Sequence, residues 1–161
     1  MKNIILLILM LSILVSANDI ENNELNYLKK YVGTYAINYI FSDKIIKKEL
    51  HLLLKDKIKL LKENLSVIPP IDMIDGDIVI SGIAPHQGGI NMAIMDINTK
   101  RSVVTVAIYS EGNIFIYSKT NHYDYLPRSI KTQIVLWNTD FKVMYTIPKN
   151  VQMIINHKKI N

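Results

Sequence analysis

Four histidines, His51, His86, His122 and His157, are the imidazoles this 161-residue chain has to work with, and it has no cysteine. Without a thiol, cysteine nucleophiles and cysteine zinc sites are excluded. No histidine stands three or four residues from another, so no local pair has metal-ligand spacing, and neither a metal nor a cofactor is expected. The nucleophile elbow G-x-S-x-G, the phosphate loop G-x-x-x-x-G-K and the zinc helix H-E-x-x-H are all missing. His122-Tyr123-Asp124 could orient a base or hold a metal, but it reads more simply as a polar loop before a helix. No nucleophile stands at a fixed offset from an orienting partner. The chain is therefore expected to bind rather than to catalyse, with a hydrolase using His86 or His122 as the weakest reading.

One segment combines residue types suited to recognition: Gly82-Ile83-Ala84-Pro85-His86-Gln87-Gly88-Gly89. Pro85 fixes its own φ beside the histidine and reduces the freedom of the loop. Gly88-Gly89 allow the chain to turn back. Ile83 and Ile90 are apolar and can anchor both ends. This pattern predicts a short loop with His86 near its tip, and presented loops are a common way to place a binding residue. The plainer alternative is an ordinary strand connection whose histidine has no task.

The elements around that loop follow from periodicity. Ile46, Leu50, Leu53, Leu54, Ile58, Leu61 and Leu65 recur at spacings of three and four, with Lys and Glu between them. That is a one-faced amphipathic helix, started by Ser42 or Asp43, with a break near Lys55-Asp56. Pro69-Pro70 ends it. Ile71–Ile74 and Asp77–Ile83 read as a hairpin about Asp75-Gly76. Ile90–Ile97, Ser102–Tyr109 and Ile114–Lys119 read as three further strands joined by short turns, hence antiparallel. Pro127 suits the first turn of a shorter helix carrying Ile130, Ile134 and Trp137 on one face. Leu25, Leu28 and Tyr31 suggest a helical turn before Gly33, and Tyr35–Phe41 is expected to be extended. After Thr139 the alternation Phe141, Val143, Tyr145 could add a strand, limited by Pro148. The expected fold is α+β: a single domain with an antiparallel meander of about five strands, an amphipathic helix before it and a shorter helix after it, packed on the sheet.

Lys2, the apolar run Ile4–Val15 and Val15-Ser16-Ala17 make the three parts of a cleavable signal peptide over residues 1–17. The run is shorter than a membrane span needs, and no later segment is long enough. The expected protein is residues 18–161, periplasmic or secreted and off the membrane once the signal is removed, with the tail 139–161 peripheral. Single-domain size permits a core without disulfides. The net charge of +5 comes largely from lysines, clustered between Lys44 and Lys62. Basic residues interleaved with exposed aromatics, or a nucleic-acid fold signature, are not visible, so a solvated helix face is expected and no nucleic-acid partner.

At the histidine loop the sequence resembles the inhibitor-of-vertebrate-lysozyme (Ivy-type) family and its periplasmic relatives. The signature of that family is a Cys-Lys-Pro-His-Asp-Cys loop after a strand ending in small residues. Val79-Ile80-Ser81-Gly82 here leads into Ile83-Ala84-Pro85-His86-Gln87-Gly88. Pro85 and His86 match in register. Ile83 and Gly88 stand at the two cysteine positions, and Ala84 and Gln87 replace Lys and Asp. Gly89, the strands Met92–Met95 and Val103–Ile108, the Lys-rich helix and Asn121–Pro127 extend the likeness over Tyr31–Trp137.

The resemblance implies an inhibitor that inserts its loop into the acidic cleft of a lysozyme or related cell-wall lytic enzyme. Glycosidases of this kind hold two carboxylates astride the scissile bond, and an imidazole between them can hydrogen-bond to both. His86, with Pro85, Ala84, Gln87 and Gly88, would make the contact. The loop disulfide of the family cannot form here. The alternative is a non-inhibitory periplasmic binding protein on the same scaffold, directed at another protein or at peptidoglycan, with the Lys-rich helix as an anionic-polymer contact. Assembly as a homodimer is left open.

Overall fold

A computed structural model describes residues 25–138 and 149–160. The expected signal segment 1–17 and the alternating stretch Phe141, Val143 and Tyr145 lie outside the described residues.

The helical layer begins with a 3-10 turn, Asn26–Tyr31, that buries Leu28. Helix α1, Ile37–Ser42, follows where an extended segment was expected. Its β-branched and aromatic residues favour strands only as a weak prior. Ile37, Ile40 and Phe41 are the buried ones, at helical spacing, and packing onto the core decides. Asp43 caps α2, Lys44–Leu54, its carboxylate accepting from the backbone N–H of Ile45 at 2.9 Å and of Ile46 at 3.0 Å. The expected break falls at Lys55, whose φ of +48° leads into a 3-10 turn, Lys55–Lys57. Helix α3, Ile58–Asn64, resumes the stripe. Ile46, Leu50, Leu53, Leu54, Leu61 and Leu65 are all buried in one cluster.

Seven strands form one sheet in sequence order: β1 Asp72–Ile74, β2 Asp77–Ile83, β3 Asn91–Asn98, β4 Val103–Ser110, β5 Asn113–Tyr117, β6 Val151–Ile155 and β7 Lys158–Ile160. Asp75 and Gly76, at φ +53° and +89°, make the tight turn between β1 and β2. The first five strands are the expected meander; β6 and β7 extend it. β6 runs parallel to β5, Ile114 opposite Val151, and is the one parallel neighbour in the sheet. A parallel pair needs a long crossover, and helix α4, Arg128–Trp137, lies in the connection.

The sheet is covered on both faces. Ile78, Ile80, Met95, Val106 and Ile108 face the N-terminal helices. Val79, Ile94, Ala107, Ile114 and Ile116 face Ile130, Ile134 and Trp137 of α4. Strands β3 and β4 are buried on both sides, which is why they read as nearly unbroken apolar runs. Among the described residues no helix is long and apolar enough to cross a membrane.

Candidate functional site: the β2–β3 loop

β2 and β3 are paired up to Ile83 opposite Met92, and the loop 84–90 joins them. The neck is closed on both sides. The N–H of Ala84 donates to the carbonyl of Asn91 at 3.0 Å. On the outer side Ile83 exchanges two backbone hydrogen bonds with Val67, at 3.0 and 3.2 Å. This approach is so close that a Cβ at Gly82 would lie 2.8 Å from the Val67 carbonyl oxygen. Only glycine fits there.

The loop consists of two consecutive turns sharing Gln87. The N–H of Gln87 donates to the carbonyl of Ala84 at 3.1 Å, with Pro85 and His86 at the two corners. His86 has φ +59°. Proline at the first corner and positive φ at the second is the type II pattern, in which the second corner normally holds glycine or asparagine. Histidine tolerates that conformation better than most residues, and six other non-glycine residues among those described also take positive φ. The N–H groups of Ile90 and Asn91 both donate to the Gln87 carbonyl at 3.0 Å, and Gly89, at φ +83°, turns the chain back.

Side chains brace the second turn. Asn91 Nδ2 donates to Gln87 Oε1, and Ser110 Oγ on β4 donates to Asn91 Oδ1 at 2.8 Å. The N–H of Glu111 donates to the Ile90 carbonyl at 3.1 Å, tying the loop to the β4–β5 turn. The five residues expected to make the contact are thus placed differently. His86, Pro85 and Gly88 are exposed, Gln87 is half-buried within the brace, and Ala84 is 1 % exposed at the neck. Among the described residues the His86 imidazole has no hydrogen-bond or ion-pair partner. A Cβ at Gly88 would lie 3.6 Å from Cδ1 of Ile83. The apolar side chain of Ile83 therefore sits across the loop base from Gly88, the two positions that carry cysteine in the signature loop.

Beside the loop lies a shallow cavity of about 320 Å³ lined by Val67, Ile83, Met92 and Trp137 among others. The Trp137 ring is 5.8 Å from that of Tyr109. Neither the Val67 bridge nor the Asn91–Ser110 brace has a signal in the sequence, because both depend on strand register.

His122, the other candidate, is exposed and meets Tyr125 edge to face at 5.6 Å. No group of three His, Asp or Glu that could hold a metal occurs among the described residues. A deeply buried ionisable group is elsewhere. Asp96 on β3 is 2 % exposed, and Ser129 of α4 donates to its Oδ2. Burial, reinforced by the neighbouring Asp77, pushes its carboxyl up to about 7. Burial also raises Asp77, against hydrogen bonds from Asn98 and Asp96 and the charge of Arg101. Asp96 Oδ1 is buried without a donor.

The family model described as Inhibitor of vertebrate lysozyme (Ivy) matches residues 45–141, from α2 through the loop to beyond α4. No curated protein and no solved structure matches the chain.

Proposed function

The chain belongs to the inhibitor-of-vertebrate-lysozyme family, and from that premise we propose that it is an exported binding protein whose Pro85-His86 turn enters the acidic cleft of a lysozyme or related cell-wall lytic enzyme. In this reading residues 1–17 are removed as a signal peptide, and 18–161 act as one periplasmic or secreted domain without catalysis of its own. The observation that carries the reading is the exposed, unpartnered imidazole on a corner that the backbone holds in place. Polar groups inside the loop bond to one another, so insertion strands few of them, and a preset loop loses little entropy on docking. The two turns, the Val67 bridge and the Asn91 brace supply the restraint that a loop disulfide would otherwise give. Pro85, Gly88 and His86 would touch the enzyme; Ala84 and Gln87 would shape the loop from within.

The test is a cell-wall lysis assay. The protein from Asn18 onward is titrated against animal and bacterial lytic enzymes, beside His86→Ala and His86→Asn. Asparagine tolerates positive φ, so the second variant keeps the turn and removes the imidazole. Inhibition by the parent and its loss in both variants is the expected result. Equal inhibition by parent and variants would remove His86 from the mechanism.

A further inference from the structure

On the helical layer two adjoining depressions of about 820 and 470 Å³ share Phe41, Lys47 and Lys62 in their walls, the larger reaching Val67 beside the loop neck. Tyr35 closes one end, and Lys48 and His51 line the other. The two open depressions adjoin along these shared walls as one grooved surface. None of the residues lining it is acidic. Of the carboxylates on the same helices, Asp43 caps α2 and accepts from the Tyr27 hydroxyl, Glu49 pairs with Lys119, Asp56 pairs with Lys57 at 3.4 Å, and the exposed Glu63 does not line the groove. Among the described residues Lys47, Lys48 and Lys62 have no carboxylate partner. Lys62 Nζ instead stands 5.4 Å from the centre of the Phe41 ring, the geometry of a cation over an aromatic face. Tyr35 is 67 % exposed.

We propose that this groove binds a segment of a carboxylated polysaccharide. Its shape is open, which suits a chain lying along it more than an enclosed small anion. Three unpaired ammonium groups are point charges on flexible stems and can follow carboxylates spaced along a polymer. The exposed ring of Tyr35 matches the C–H face of a sugar ring. Both arginines of the chain, Arg101 and Arg128, lie outside the groove, so the fork that reads phosphate bidentately is missing from it. This favours a glycan over a polynucleotide. The site is separate from His86, so it stands or falls independently of the inhibitor reading.

Binding of a short oligogalacturonide to the protein from Asn18 onward, measured by calorimetry, tests it. Lys47→Gln with Lys62→Gln should weaken binding about tenfold, a loss of about 1.4 kcal/mol. Tyr35→Ala should weaken it several-fold at unchanged charge, and His86→Asn should leave it unaltered. Lys158→Gln with Lys159→Gln lowers the net charge equally but lies on β7, and should change little. Equal losses from the two lysine pairs would reduce the effect to overall charge and overturn the site. So would equal binding of the methyl-esterified oligosaccharide, or tighter binding of a single-stranded oligonucleotide.

Discussion

The β2–β3 hairpin has two ends, and they treat an ionisable side chain in opposite ways. At the open end Asp96 is buried beneath α4, bonded to Ser129 and beside Asp77. At the closed end His86 is exposed, while the polar groups around it bond to each other. Burial at the first end makes ionisation costly and binds the helix to the sheet through a polar contact. Restraint without burial at the second leaves an imidazole with its bonding capacity unused. The same hairpin thus holds one group inside the fold and leaves the other open to solvent.

The largest expected effect breaks the comparison at its buried end. Asp96 keeps its proton to about pH 7 in the folded chain and releases it near 3.8 when unfolded. The native state therefore binds the extra proton between those values, and stability falls as pH rises from about 4 to about 7. The loss is on the order of 4 kcal/mol. Chemical denaturation across that range should show the decline, and Asp96→Asn should flatten it while inhibition is retained. A slope unchanged by Asp96→Asn would remove this carboxyl as its source.

At the closed end His86→Asn should do the reverse. It should cost about 2 kcal/mol of affinity for the lytic enzyme, roughly 30-fold, as expected of a central anchor, with the thermal midpoint unmoved. Gly82→Ala should touch both properties. Its Cβ forces the Val67 segment away from the loop neck, costing about 1–2 kcal/mol of stability and loosening the loop, as paired melting and inhibition curves would reveal. The smallest change is Asn91→Ala. Losing the link between Gln87 and Ser110 should cost about 1 kcal/mol, seen as faster amide exchange in residues 84–90.

Much of this organisation was legible in the sequence because it is local. The leucine stripe, the Asp43 cap, the break at Lys55, the Asp75-Gly76 turn and the Pro85-His86 loop each declare themselves within a few residues. The misread segment, Tyr35–Phe41, holds residues that suit strand and helix alike, and only its docking onto the core selects the helix. The Asp77–Asp96–Ser129 contact and the Asn91–Ser110 brace join residues far apart along the chain. They exist because strand register and the docking of α4 bring them together. The Lys-rich helix was legible as a solvated face or an anionic-polymer contact, but its meeting with Tyr35 and Phe41 depends on how α1, α2 and α3 fold against each other.

The parallel seam between β5 and β6 gives the tail a protective task. A sheet ending at β5 would offer the backbone of Ile114–Tyr117 as a ready template for a strand from another molecule. β6 occupies that row instead, and β7 becomes the outer boundary. There the exposed Lys158 and Lys159 stand, and charge on a bordering strand discourages stacking of one sheet against the next. Strands β6 and β7 thus guard the solubility of the molecule.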